Sequence, residues 1–141
     1  MRNRYQVAEL LASMWKLGMD ERADAEERMP TSHGILDRAL FALKDDLPGQ
    51  ISDNLTFAET SVGLRCFELP DVLLAAQEAL LTSEPNPTYL STEIALTEDA
   101  ARQIVVGAGL STRDARALGA RLQTAAREAR ETVSTVEPVA A

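Results

Sequence analysis

At 141 residues, 45% hydrophobic and 26% charged, the chain has the size and balance of one folding domain that needs neither disulfide nor metal to hold a core. Its net charge of −8 disfavours nucleic acid as a partner of the whole surface, because Lys and Arg neutralising phosphate supply most of that affinity. The single cysteine, Cys66, excludes an internal disulfide, and no apolar run approaches the roughly 20 residues of a membrane span, so a cytoplasmic protein with no membrane contact is expected.

The first element is an amphipathic helix over 5–17. Val7, Leu10, Leu11, Met14, Trp15 and Leu17 recur at helical spacing, Glu9, Ser13 and Lys16 lie opposite, and Gly18 ends it. Glu9 and Lys16 also break the apolar stretch that follows Arg2 and Arg4, so no export leader is expected. The acidic run "MDERADAEERMPTS" has no apolar period and reads as a solvated connector. It lacks the fixed offsets of a cation loop, so no metal site is expected there.

Thr31 and Ser32 are capping candidates for a second helix that runs to Pro48-Gly49. Ile35, Leu36, Ala39, Leu40 and Leu43 share its inner face, while Phe41 falls on the far side with Asp37 and Asp45. From Leu55 the period changes to two, which predicts a hairpin through Leu55, Phe57, Val62, Leu64 and Cys66 that turns near Glu59–Ser61. Pro70 and Asp71 suit the first turn of a helix over "DVLLAAQEALL", apolar on two sides. After the loop "SEPNP", Leu90, Thr92, Ile94 and Leu96 alternate as a third strand.

The stretch "RQIVVGAGLSTRDARALGARL", residues 102–122, admits three readings. Its start resembles a dinucleotide-binding fingerprint, but Thr112 stands where the third glycine belongs and too little chain follows for a second strand and its acid. It also resembles a helix-turn-helix: Thr97 caps "EDAARQIVVG", Gly109 makes the turn, and Ser111 with Asp114 opens the next helix, although Val105 is bulky where that pattern wants a small residue. The third reading is a plain pair of packing helices. In the last helix Ala115, Leu118, Leu122, Ala125, Ala129 and Val133 share one arc, and Arg113, Arg116, Arg127 and Arg130 occupy the next. Residues 1–100 carry a net −10 and residues 101–130 a net +4, so the arginine arc is expected to dock on the chain's own acids or on a second copy.

The expected fold is α+β: a small three-stranded antiparallel sheet packed by about five helices, helix-rich, ending in a long amphipathic C-terminal helix. Residues 1–137 form one domain and 138–141 a short tail. His33 is the lone histidine, beside a helix start, and Cys66 has apolar flanks, so no catalytic, metal or cofactor residue is assigned. The expected role is non-enzymatic, through contacts with another protein or as a homodimer: an adaptor, chaperone or neutralising partner. The contact residues expected are Trp15, Phe41, Arg113, Arg116, Arg127 and Arg130. The alternative is a DNA-binding regulator using residues 97–130.

Overall fold

The computed structural model describes residues 3–19, 28–31, 34–83 and 91–136, the last four by backbone alone. In chain order the elements are α1 (Arg4–Gly18), β1 (Arg28–Pro30), α2 (Ile35–Ala42), α3 (Gly49–Ser52), β2 (Phe57–Thr60), β3 (Gly63–Cys66), α4 (Leu69–Glu78), β4 (Ser91–Glu93), α5 (Glu98–Gly107) and α6 (Thr112–Val136). The class is helix-rich α+β. Instead of the expected three-stranded sheet, however, the described strands form two antiparallel pairs, β1 with β4 and β2 with β3.

The core is built around α1. It packs against α3, α4, α5 and α6, which explains why burial extends beyond its apolar stripe to Ser13, a residue the sequence pattern puts on the polar side. The crossing with α6 is glycine on glycine. A Cβ on Gly119 would lie 1.8 Å from the Met14 carbonyl oxygen, and one on Gly18 would lie 2.3 Å from the Gly119 carbonyl carbon, so the two backbones touch. One turn along α6, the buried Gln123 donates from Nε2 to the Trp15 carbonyl at 2.9 Å, satisfying an acceptor in the last turn of α1. Leu122, Ala126 and Ala129 complete the buried side of α6, while Leu118 and Ala125 are partly buried.

The hairpin turns at the C-terminal end of the stretch where periodicity puts it. Its tip is Ser61–Val62, where Thr60 Oγ1 accepts from the Val62 N–H and donates to the Gly63 carbonyl. The third expected strand is β4, but its partner is β1, with Met29 opposite Thr92. β1 comes from the acidic stretch expected to be a connector, and three residues are too few to show a period. What holds it is the buried Met29 and Arg28, which donates to Ser91 Oγ at 2.8 Å and pairs with Glu93 at 3.3 Å. Thr82 also bridges to Ile94 on the other side of β4.

The second helix is shorter than expected. It ends at Ala42, and turns carry the chain from Leu43 to Pro48, the N-cap residue of α3; Leu47, just before that proline, is disfavoured in helical backbone. Its N-cap is Gly34, not Thr31 or Ser32; Ser32, His33, the run 20–27 and the tail 138–141 lie outside the described residues. The pair α5 and α6 matches expectation closely. Thr97 Oγ1 accepts from the Ala100 N–H at 3.2 Å, and Ser111 Oγ accepts from the Asp114 N–H at 3.0 Å.

Candidate contact surfaces

Trp15, expected at a contact surface, is 0% exposed and sits in the middle of the core. Its position on the apolar stripe of α1 is what the sequence pattern captures; the enclosure of α1 on several sides puts the indole out of reach of a partner. Phe41 is 38% exposed. Its ring meets Phe57 of β2 edge-on at 5.4 Å and carries the Lys44 ammonium at 4.3 Å, so the hairpin covers one side of it and leaves the other open.

The four arginines of the arc differ in circumstance. Arg116 is largely covered and pairs with Glu98 at the start of α5 at 3.3 Å, while Arg127 and Arg130 are half-buried. Arg113 is exposed. Arg121, outside the expected set, pairs with Asp46 in the turn after α2 at 2.8 Å. Beside that pair lies a shallow groove of about 300 Å³, floored by Ala42 at the end of α2, Leu43 just past it, and Ala120, Thr124 and Ala125 of α6.

A surface that sequence reasoning missed lies on α4. Leu69, Val72, Ala75 and Ala76 face the core, which turns Leu74 outward at 55% exposure. Leu80, just past the helix, is 79% exposed. Tyr5 of α1 is 40% exposed and donates from its hydroxyl to Glu78 of α4 at 3.3 Å. Arg4 lies 5.1 Å from the Tyr5 ring, and its pKa is raised first by Tyr5 and further by Glu78 and Asp71. The result is an apolar patch with charges of both signs on its rim. Its signal in the sequence is that "DVLLAAQEALL" is apolar on two sides, more than one core-facing stripe requires.

Cys66 is 2% exposed, and burial pushes its thiol up to about 11, with the nearby Glu68 and Asp37 carboxylates adding to the shift. It is therefore a protonated core residue at neutral pH rather than a nucleophile. Among the described residues no three of His, Cys, Asp and Glu converge as a metal site requires, and no helix is long and apolar enough to cross a membrane. Compared with known protein families, curated proteins and solved structures, the chain matches none of them.

Proposed function

We propose that this protein works through protein contacts, with the outer face of α4 and the N-terminal turn of α1 as its main surface and a second copy of itself as the first partner. The observation that carries this reading is Leu80, an apolar side chain 79% in water on a backbone that leucine resists, at the end of a helix that also turns Leu74 outward. A twofold interface must be self-complementary, and a rim holding Arg4 beside Asp71 and Glu78 can set each sign against the other across such an axis. Phe41, half-open against Phe57 of the hairpin, is a second point of contact for an adaptor or chaperone role. The DNA-binding reading draws less support, because Arg116 and Arg121 already face Glu98 and Asp46.

Light scattering at tens of micromolar tests the proposal. A dimer that Leu74→Glu converts to monomer, with an unchanged circular dichroism spectrum, is the expected result. A monomeric wild type, together with native-host pull-downs that Leu74→Glu and Phe41→Ala leave unaltered, would overturn it.

A further inference from the structure

We propose that Arg38 and Arg65, at the seam between α2 and β3, form a binding site for a tetrahedral oxyanion of the phosphate type. Arg38 lies one turn into α2, its backbone N–H on the Gly34 carbonyl at 3.1 Å. Its guanidinium reaches across the seam to β3, where a Cβ on Gly63 would sit 3.4 Å from Nη2. Arg65 follows Gly63 by two residues, on the same face of β3. It reaches the other way: a Cβ on Gly34 would sit 2.1 Å from its Nη1, which donates to the Leu64 carbonyl at 3.1 Å. The two cationic side chains thus cross one seam in opposite directions.

Their partners set them apart from the other arginines. Arg28, Arg102, Arg116 and Arg121 each meet a carboxylate at 3.3 Å or less. Arg38 and Arg65 meet none among the described residues, in a chain with 22 acidic side chains, and Nε of Arg38 is buried without an acceptor among those residues. A buried guanidinium N–H without an acceptor is costly. The nearest carboxylate in sequence, Asp37, is committed elsewhere, since its Oδ2 accepts from the Cys66 N–H at 2.7 Å. Both guanidinium charges lie beside the partial positive charge of the α2 N-terminus, which has glycine as its N-cap and no side-chain cap. Guanidinium groups present parallel N–H donors that fit an oxyanion edge, and one from each wall of the seam can take different edges of a tetrahedral anion, which a planar carboxylate does not offer.

The full chain, labelled with nitrogen-15, is titrated with inorganic phosphate to about 10 mM, against sodium chloride at matched ionic strength. Saturable shifts confined to the amides of Ile35, Leu36, Asp37 and Gly63 to Cys66 are expected. Arg38→Gln and Arg65→Gln should each weaken binding about tenfold or more, and Arg121→Gln should leave it unchanged. A parallel titration with phosphoserine separates the sources: tighter binding than inorganic phosphate assigns an esterified phosphate, weaker binding the free anion. Shifts that sodium chloride reproduces, that fail to saturate, or that survive in Arg65→Gln would overturn the site. Localised saturation in the wild type decides the matter even if a variant does not fold.

Discussion

At φ 60°, Leu80 occupies the left-handed region where a Cβ crowds the carbonyl oxygen. The reason is the way α4 stops: the Leu80 N–H bonds to the Gln77 carbonyl at 3.1 Å and the Leu81 N–H to the Ala76 carbonyl at 2.9 Å, a Schellman closure that calls for a left-handed residue at Leu80. The same closure ends α5, where Gly109 takes that position at φ 87° and the Leu110 N–H bonds to the Val105 carbonyl at 2.9 Å. Within one chain Leu80 gives up little burial, so Leu80→Gly should raise stability by about 0.5–1 kcal/mol in urea melts at a dilution where the chain is monomeric, and a loss of stability there would mean that the side chain packs against its own chain. Cys66 supplies a second prediction. Its folded pKa of about 11 lies above the unfolded value near 9, so the stability it contributes is complete below about pH 9 and is lost as pH rises towards 11. Over that window the shift amounts to roughly 2 kcal/mol, and Cys66→Ala should flatten the alkaline limb of a stability–pH profile.

Of the helices, α6 shows best which forces hold this fold. Leu122 is 0% exposed in the core, whereas the Arg116–Glu98 pair keeps 18% and 37% of its side chains in water. Leu122→Ala should therefore cost about 3–5 kcal/mol and lower the melting midpoint clearly, while Arg116→Gln should cost under about 1 kcal/mol and mostly at low salt. The reverse order in thermal melts would make the ion pairs the main anchor. The helices with local signals were legible in advance: Thr97 and Ser111 cap α5 and α6 because a hydroxyl reaches backbone donors only three residues away. β1 was not, since Arg28 and Met29 pair with β4 residues more than sixty positions on, and three residues carry no period of their own. The contact of Gly18 with Gly119 was equally hidden, for a glycine at a helix end reads as a stop signal whether or not another helix crosses it. The arginine arc on α6 was visible; that Glu98 faces it at Arg116, and that Asp46 meets Arg121 outside it, was not, because their placement depends on how α5 and the turn after α2 pack.

On the scale of the whole molecule, the net charge of −8 gives the proposed self-association a distinctive dependence on salt. Two such chains with centres about 35 Å apart repel by roughly 2 kcal/mol at 0.01 M salt, where the Debye length is about 30 Å, and by roughly 0.1 kcal/mol at 0.15 M, where it is about 8 Å. The ion pairs across the rim, Arg4 against Asp71 and Glu78, are exposed and contribute little, so screening removes more repulsion than attraction. The apolar contact through Leu74 and Leu80 is insensitive to salt over this range. Dimerisation should therefore tighten by about tenfold or more between 0.01 and 0.15 M salt, read by sedimentation or light scattering across a dilution series. Binding of DNA by the arginines of α6 has the opposite sign, because each neutralised phosphate releases counterions and weakens the complex as salt rises. Association that loosens steeply with salt would thus reject the α4 surface as the driving contact and turn attention to Arg113 and its neighbours.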